Sequence, residues 1–564
     1  MKKKTKLIVF LFIVLLLPLL GSCTYINSLM EIAEGAAANK AIPNKELNVN
    51  YYVDDELYKT EKTTNRRNFS FPDDPKKEGL NFGGWTYKDT YQTLKTTDVI
   101  YTDKDSIDLY AYFSKGTHFI DNLKYNGPYL SLNAMPSLGD VNVLVVPVDL
   151  GGYTTSDMIS SINEAFNGTS ESTGFESVSS YYKKSSNGRL NLTFDIDTTW
   201  FKPSKEASYY SSYDATKDRY YDTGSGLILN EYLQARDKDI DFSKYDSDKD
   251  GYIDAIWMIY NVEPSYTDTS FYWAYVTFSQ NKSKKYDDIY PRYYGFASYY
   301  FIYERELQKK YNRELELYDM SDIIYDAHTY IHETGHLMGL DDYYDNDTSK
   351  GGTGGLYTAG MMDANQGDLN TIDKLLLGWI DPYVVYNNSE IKTYDISSFA
   401  DTNEVILVSK YKPGSIYSEY YLIEFYSNTG LNAHDKPIDY PSNALIRMHR
   451  LTNLKDYGIR VLHINASLTN EYNGKTYDQP MDFTYNNSTT RNLFVDTIVS
   501  SRYAYETSLT GKRQIINSLA LFNEVGIEFN LKESDYKTTN GSSVFFNFKI
   551  DELTTTGAKV SIIF

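Results

Sequence analysis

The sequence is poor in cysteine, histidine and basic residues. Its 564 residues include one Cys and seven His, and 55 Lys and Arg stand against 76 Asp and Glu. One cysteine excludes both an internal disulfide and a cysteine-based zinc site. The net charge of −21 argues against a nucleic-acid partner, because phosphate binding needs clustered basic residues. Hydrophobic residues make up 41% of the chain, which excludes a disordered protein, and the length predicts several domains.

Long apolar runs are also scarce. The run Leu7–Leu20 follows a lysine-rich start and is shorter than the about 20 residues that a spanning helix needs. It ends in Leu20–Cys23, which resembles the processing box of bacterial lipoproteins, and the one cysteine of the chain stands at the lipidated position. This resemblance implies a signal peptide over 1–22, a lipid anchor at Cys23, a tether over 23–46 and an extracytoplasmic body. The alternatives are a plain signal peptide with an incidental cysteine, or an uncleaved anchor.

The next segment, 47–115, has the alternation of short strands around an Asp54-Asp55 turn. Its motif elements are Pro75–Gly79, Phe82–Trp85 and Leu109–Phe113. They resemble the internalin B-type repeat, a small β-grasp module. The resemblance implies a spacer or adhesive module that is a candidate for binding a surface partner.

After a linker over 116–139, the sequence pattern predicts a larger α/β domain. A buried strand at 141–148 is followed by a helix over 155–166 and another strand at 190–194, which predicts an α/β layer over 140–385. The remainder, 386–564, is β-rich. We therefore expect an α+β multidomain protein with a small module, a larger α/β domain and a β-rich C-terminal region.

A metal motif lies in the α/β domain. His332, Glu333 and His336 form the pattern H-E-x-x-H, in a proline-free run from about 319 to 338 with helical spacing. Positions i and i+4 share one helix face, so both imidazoles can bind one zinc ion, with Glu333 beside it as general base. We expect water activated by the zinc to attack a peptide bond.

The motif continues to Gly339 and Asp342. A glycine one turn after the helix permits a sharp reversal with positive φ, which lets Asp342 return as the third zinc ligand and leaves one position open, as catalytic zinc requires. His328, one turn before His332, is interpreted as a neighbour on the helix face. Downstream, a glycine-rich turn carries Met361 and Met362. It resembles the methionine turn that metzincins place beneath the metal, which implies that Met362, or else Met361, is the apolar floor of the site. Two core methionines in a glycine-rich loop are the alternative.

These residues together resemble the immune inhibitor A family of secreted bacterial zinc metallopeptidases. The matching segments are 177–188, 332–345, 360–363, 374–379, 420–425 and 458–464. The resemblance implies a metzincin-like zinc endopeptidase that acts on proteins or peptides, with His332, His336 and Asp342 as ligands and Glu333 as base. Asp341 stands where the family usually has proline, so it competes with Asp342 as third ligand. A role for His463 stays open, a structural histidine being the alternative.

A second metal site is predicted at the pattern D-x-D-x-D-G-x-x-D. Alternate carboxylates in a tight loop converge on one hard cation, and a glycine permits the turn. The expected calcium ligands are Asp246, Asp248, Asp250, the carbonyl of Tyr252, and Asp254. A strand follows in place of the exiting helix of a sensor EF-hand, so we expect a structural Ca²⁺ site; a solvated acidic turn is the alternative.

The leading hypothesis from the sequence is a lipid-anchored extracellular zinc endopeptidase. The alternative from another class is a surface adhesin whose protease-like domain is inactive. A third reading is a self-processing or lipoprotein-trimming enzyme with one dedicated substrate, which the sequence does not separate from a general protease.

Overall fold

The structure is a computed structural model that describes residues 44–564 with gaps. The residues left out are 89–90, 92, 101, 103, 120–134, 174, 214–222, 265–270, 280–283, 304–324, 346–354, 357–358, 365–366, 435–456, 473–474, 477–481, 489–491, 500–504, 508–512, 516–519 and 534–542. The expected signal peptide, the lipidated Cys23 and nearly all of the tether lie outside the described residues. Within them, no helix has the length and apolar character needed to cross a membrane.

The smaller of two compact units contains the described residues up to Pro75 together with 84–88 and 93–112. The strands in this part of the chain are β1 (Glu46–Val53), β2 (Glu56–Thr64), β3 (Asn81–Thr86) and β4 (Ser106–Ser114), in the sheet order β2-β1-β4-β3. Strands β1 and β2 form an antiparallel hairpin, whereas β4 pairs with β1 in parallel. The buried Trp85 packs edge-on against Tyr51 with ring centroids 4.9 Å apart, so it belongs to the core of this unit.

The larger unit contains a five-stranded sheet. Its strands are β5 (Gly139–Val148), β6 (Leu190–Ile196), β7 (Ile256–Tyr260), β8 (Tyr275–Phe278) and β9 (Tyr293–Ser298), in the order β6-β5-β7-β9-β8. Only β8, at one edge, runs antiparallel to its neighbour. All five residues of β7 are buried, as expected for a parallel strand that is covered on both faces.

Helices and short 3-10 turns surround this sheet and continue along the chain. The helices are α1 (Ser156–Asn167), α2 (Ser170–Thr173), α3 (Val178–Ser185), α4 (Ala207–Ser211), α5 (Gly224–Arg236), α6 (His328–Leu337), α7 (Met361–Ala364), α8 (Thr371–Leu376) and α9 (Phe399–Thr402), and the 3-10 turns are Phe242–Tyr245, Tyr299–Tyr303 and Gly430–His434. Helix α1 begins where the hydroxyl of Thr155 accepts a hydrogen bond from the backbone N–H of Met158, and it ends before Gly168. The helix predicted over 155–166 is therefore confirmed.

Two further sheets follow. The first C-terminal sheet contains β10 (Tyr383–Val385), β12 (Val405–Val408), β13 (Glu419–Tyr426), β14 (Gly458–Asn465) and β19 (Val495–Thr497), in the order β10-β12-β13-β14-β19. The second C-terminal sheet contains β11 (Thr393–Ser397), β22 (Glu528–Phe529), β23 (Asn547–Leu553) and β24 (Gly557–Ile563), in the order β11-β24-β23-β22. Short two-stranded pairs are formed by β15 (Leu468–Thr469) with β18 (Asp482–Phe483), β16 (Glu471–Tyr472) with β17 (Lys475–Thr476), and β20 (Tyr505–Thr507) with β21 (Arg513–Ile515). The fold is thus mixed α+β, rich in strands and built from several sheets.

Alternation along the strands assigns the two faces of each central sheet to different cores. Val143 of β5 lies in the same hydrophobic cluster as Tyr330 of α6, whereas its neighbour Leu144 belongs to a cluster on the opposite face. Leu422 of β13 also belongs to the cluster of α6, while Ile423 packs in the cluster between the two C-terminal sheets. Helix α6 therefore shares one core with the five-stranded sheet and with the first C-terminal sheet.

Candidate metal centre

Helix α6 presents the predicted metal motif. The sequence predicts a helix from about residue 319, and the described part contradicts this start, because residues 325–327 are not helical and α6 begins at His328. The reason is local: the carboxylate of Asp326 accepts a hydrogen bond of 2.9 Å from the backbone N–H of His328, which satisfies a free donor at the helix start. His332 and His336 follow one turn apart on the same face.

The end of α6 turns the chain back toward the imidazoles. Gly339 has φ +94°, and the backbone N–H of Leu340 donates to the carbonyl of Gly335 over 3.1 Å. This is the hydrogen bond of a helix that ends in a left-handed glycine. The predicted positive φ of Gly339 is confirmed, and the reversal brings Asp342 next to the two histidines.

Three ligand atoms converge at this point. The Nε2 atoms of His332 and His336 lie 3.1 Å apart, and Oδ1 of Asp342 lies 3.0 Å from the first and 3.2 Å from the second. Ligands about 2.0–2.1 Å from one tetrahedral zinc ion lie about 3.3 Å from one another. The observed separations therefore fit a shared zinc ion.

The hydrogen bonds of the His332 and His336 imidazoles also indicate a shared metal ion. Nδ1 of His332 lies 2.9 Å from the carbonyl of Met361, and Nδ1 of His336 lies 2.7 Å from the carbonyl of Leu340. A carbonyl only accepts, so each Nδ1 carries the proton, and each Nε2 of a neutral ring directs its lone pair at the same point. Histidines that bind metals are oriented by such hydrogen bonds. Two lone pairs and a carboxylate oxygen at these distances repel one another unless a positive charge lies among them.

The electrostatics of the cluster show how strongly it favours positive charge. Burial alone would lower the pKa of His336, but the neighbouring Asp342 carboxylate raises it to about 10. Burial opposes the ionised form of Asp342, yet the two imidazoles hold the pKa of Asp342 well below its usual range. Burial raises the pKa of Glu333, which is only 8% exposed, while His336 and His332 act in the opposite direction. A cation at this point would be compensated by Asp342 and Glu333.

The structure distinguishes between the two adjacent aspartates. Among the described residues, the group of closely spaced ligand atoms contains Asp342 and does not contain Asp341. Asp341 instead lines a small cavity with Phe483 and Phe494, and burial together with Asp482 raises its pKa to about 7. Asp342 is thus the acid that the fold places beside the imidazoles.

The methionine turn packs against α6 on the side of the motif. Met361 and Met362 are both fully buried, and a Cβ built on Gly335 of the motif would come within 2.6 Å of Sδ of Met362. Met361 contributes the carbonyl that orients His332. Met362 therefore packs closely against the helix, and Met361 orients a histidine through its backbone.

The first C-terminal sheet supports this turn. The side-chain amide of Asn370 donates to the carbonyl of Ala359 over 3.3 Å, and Arg460 of β14 donates to Oδ1 of Asn370 over 3.2 Å. Arg460 is itself held by a 2.5 Å charge-assisted hydrogen bond to the buried Glu424 of β13. A chain of buried polar contacts thus connects β13 and β14 to the turn.

Two other histidines do not contribute to the cluster. His328 directs Nδ1 at the carboxylate of Asp326 over 2.7 Å and stacks on Phe175 with ring centroids 4.4 Å apart. His463 is fully buried on β14, where Nε2 lies 2.9 Å from the carboxylate of Glu419. Both make contacts that suit a structural histidine.

The acidic loop at 246–254 brings together part of its predicted ligand set. Asp246, Asp248 and Asp254 each offer an oxygen within 4.8 Å of the others. Asp250 does not join them; its carboxylate accepts a hydrogen bond of 3.0 Å from the backbone N–H of Tyr252, as in a local turn. Burial raises the pKa of Asp254 to about 7, with Asp248 and Asp250 acting in the same direction.

The loop geometry follows from hydrogen bonds to Asp246. Its carboxylate accepts from the backbone N–H groups of Asp250 over 3.0 Å and of Gly251 over 3.2 Å, and Gly251 has φ +91°. Ser247 donates its backbone N–H to Asp254 over 2.8 Å. Strand β7 begins two residues after Asp254, so the predicted strand, in place of an exiting helix, is confirmed.

Two contacts of Asp342 were not predicted from the sequence. Tyr344 donates its hydroxyl to Oδ2 of Asp342 over 2.8 Å, and Ser488 donates its hydroxyl to the carbonyl of Asp342 over 2.9 Å. The first contact is local, and the two-residue spacing after the aspartate is a signal that could have suggested it. The second joins residues 146 positions apart, for which the sequence contains no local signal.

The chain matches no protein-family model, and no curated protein matches it. The resemblance to the immune inhibitor A family therefore stays a prediction that depends on the motif residues.

Proposed function

We propose that this protein is a zinc-dependent endopeptidase that hydrolyses peptide bonds in proteins. The observation that carries the proposal is the convergence of His332 Nε2, His336 Nε2 and Asp342 Oδ1 at 3.0–3.2 Å from one another, with the buried Glu333 next to His332 on the same helix. Two imidazoles and one carboxylate form the ligand set of a catalytic zinc site with one position open.

The three ligands would hold Zn²⁺, which as a Lewis acid polarises a carbonyl and lowers the pKa of water toward about 7. The fold contributes the orientation of these ligands: Met361 and Leu340 direct the Nδ1 protons, and Met362 packs beneath the helix. A substrate peptide must place its scissile carbonyl at this point.

Glu333 is the general base in this proposal. Its carboxylate takes a proton from the attacking water and later delivers a proton to the leaving amine. Its burial supports this role, because the carboxylate keeps little contact with bulk water and its pKa is raised above that of an exposed glutamate.

Calcium is the second cofactor that we propose. Asp246, Asp248 and Asp254 provide oxygen ligands that suit Ca²⁺, in a loop that leads directly into the central strand β7 of the five-stranded sheet. Asp250 and the carbonyl of Tyr252 remain proposed ligands from the spacing alone. The ion would stabilise the loop against the repulsion of its carboxylates.

The location and architecture complete the proposal. Cys23 is proposed as a lipid-anchored residue that keeps the enzyme at the outer side of a membrane. The smaller unit is proposed to be an internalin B-type β-grasp module. Its hairpin and the parallel pairing of β1 with β4 support that assignment. The mostly parallel sheet with one antiparallel edge strand supports a metzincin-like peptidase domain.

The test is the substitution Glu333→Gln in the purified full-length protein. The amide keeps the shape of the side chain but does not accept a proton, so we expect the cleavage rate of an unfolded protein substrate to fall about 10²–10⁴-fold. Glu390→Gln, at an exposed glutamate, is the matched control. New peptide termini are measured by mass spectrometry, and zinc content by elemental analysis.

A Glu333→Gln variant that retains zinc and cleaves as fast as the parent protein would contradict the assigned base. A parent protein that binds zinc and cleaves no protein substrate would favour the alternative of an inactive surface adhesin.

A further inference from the structure

The third ligand of the proposed zinc site is held at three points. Oδ1 of Asp342 faces both imidazoles at 3.0 and 3.2 Å, Oδ2 accepts the hydroxyl of Tyr344 over 2.8 Å, and the backbone carbonyl accepts the hydroxyl of Ser488 over 2.9 Å. Neither hydroxyl belongs to the helix that carries the histidines. Asp342 is therefore positioned by contacts that are separate from the metal motif.

The two oxygens of Asp342 have different partners. A carboxylate can bind a metal through one oxygen or through both. The hydrogen bond from Tyr344 occupies Oδ2, so Oδ1 is the oxygen directed at the imidazoles. Binding through one oxygen keeps the zinc four-coordinate with one open position, which is the arrangement that catalysis needs.

Ser488 is held in place by the C-terminal region. The side chain of Asn487 is buried and pairs twice with the backbone of Val495, donating to its carbonyl over 2.8 Å and accepting from its N–H over 3.0 Å. One residue before Val495, Phe494 stacks on Tyr343 with ring centroids 6.1 Å apart and an interplanar angle of 6°. A segment of the β-rich region thus contacts Asp342 and packs against Tyr343, the residue that follows it.

We propose that Tyr344 and Ser488 are positioning residues that fix Asp342 as a ligand through one oxygen, so that the C-terminal region is part of the metal centre. This inference rests on the proposed zinc function. Groups that hydrogen-bond to metal ligands change metal affinity about 10–100-fold when they are removed.

The experiment compares Tyr344→Phe and Ser488→Ala with the full-length parent protein. The matched control is Tyr272→Phe, which removes a tyrosine hydroxyl that donates to the carbonyl of Ala207 over 2.6 Å. Zinc affinity is measured by competition with a chromophoric chelator, and the ligand geometry by the visible spectrum of the cobalt(II)-substituted protein. Thermal unfolding without metal reports the stability of each variant.

We expect Tyr344→Phe to weaken zinc binding about 10–100-fold and to lower the intensity of the cobalt bands, because Asp342 then binds through both oxygens and raises the coordination number. Ser488→Ala should weaken zinc binding in the same direction, and Tyr272→Phe should match the parent protein. If Tyr344→Phe does not fold, Ser488→Ala alone decides through the same two measurements.

Unchanged zinc affinity and an unchanged cobalt spectrum in both variants, in a parent protein that binds zinc and cleaves protein, would overturn this inference and leave the proposed function intact. A parent protein that binds no zinc at the histidines would overturn the proposed function, and this inference with it.

Discussion

The contact between Gly335 and Met362 predicts how closely the methionine turn packs on the metal-binding helix. A Cβ at position 335 would lie 2.6 Å from Sδ and 3.1 Å from Cε of Met362, and 3.3 Å from the hydroxyl of Tyr182. Gly335→Ala therefore forces the fully buried Met362 to move. Overpacking of this kind costs about 1–3 kcal/mol, whereas alanine in place of a helical glycine stabilises by about 1 kcal/mol. The expected net effect is a loss of 0 to about 2 kcal/mol.

A double-mutant cycle isolates the contact. Met362→Ala alone leaves a cavity and should cost about 2–5 kcal/mol. In the double variant, the new Cβ at 335 occupies space that Met362 has left, so the loss should be at least about 1 kcal/mol smaller than the sum of the two single losses. The free energies are measured by urea unfolding with a chelator present, so that metal binding does not contribute.

Two results would refute this reasoning. A Gly335→Ala protein that is more stable than the parent by the full helix-propensity gain of about 1 kcal/mol would show that no side chain lies against Gly335. Additive losses within about 0.5 kcal/mol would show that Gly335 and Met362 do not touch.

Three further predictions concern charged groups away from the histidines. Calcium at about 100 times its dissociation constant should stabilise the parent protein by about 2.7 kcal/mol in thermal unfolding. The stability of Asp248→Ala should not change when calcium is added. Equal stabilisation of both proteins would contradict the calcium site. Lys374→Met leaves the fully buried Asp368 without its ion-pair partner at 2.6 Å, and it should lower the free energy of unfolding in urea by about 3–5 kcal/mol. The control Lys412→Met, at an exposed lysine, should lower it by under about 0.5 kcal/mol. Similar losses in both variants would argue against the ion pair. Burial raises the pKa of Asp373 to about 7, whereas the pKa of an aspartate in the unfolded chain is about 3.9. Between about pH 3.9 and about pH 7 the folded state therefore binds more protons than the unfolded state. The free energy of unfolding should fall as the pH rises through this range. Asp373→Asn should reduce this fall, and an identical pH profile would contradict it.

Features with local causes could be predicted from the sequence. The hairpin around Asp54 and Asp55 has φ +50° and +62° at these residues, the conformation of a tight turn between two strands. Helix α1 likewise lies within one residue of its predicted bounds, because Thr155 and Gly168 mark its ends. The spacing of the metal motif and the bend at Gly339 belong to the same class, since each depends on the geometry of one helix and its end.

Features that join distant segments could not be predicted. The hydroxyl of Ser488 reaches Asp342 only because the C-terminal region folds back onto the bend, and Arg460 reaches Asn370 only through the packing of β14. No local periodicity encodes such contacts. The start of α6 was predicted wrongly for a related reason: apolar spacing continues upstream of His328, but the helix begins at His328, whose backbone N–H donates to the carboxylate of Asp326.

There is also a physical reason why only some of the predicted calcium ligands lie close together in the acidic loop. Alternation in the sequence makes Asp246, Asp248 and Asp250 look equivalent, yet the backbone N–H of Tyr252 engages the carboxylate of Asp250. Asp254 lies beyond the turn at Gly251 and returns to the group because Ser247 donates to it. In the described loop, Asp246, Asp248 and Asp254 therefore converge, while the carboxylate of Asp250 accepts a hydrogen bond within the turn.

The most direct measurement of the central claim is the zinc content of the purified protein by elemental analysis, for the parent chain and for Asp342→Ala. The parent protein should contain one zinc ion per chain, and Asp342→Ala should lose most of it while still folding. Asp341→Ala is the matched control, because the neighbouring aspartate lies outside the group of ligand atoms, and it should keep its zinc. A parent protein without zinc, or an Asp342→Ala variant that retains as much zinc as the parent, would contradict the account.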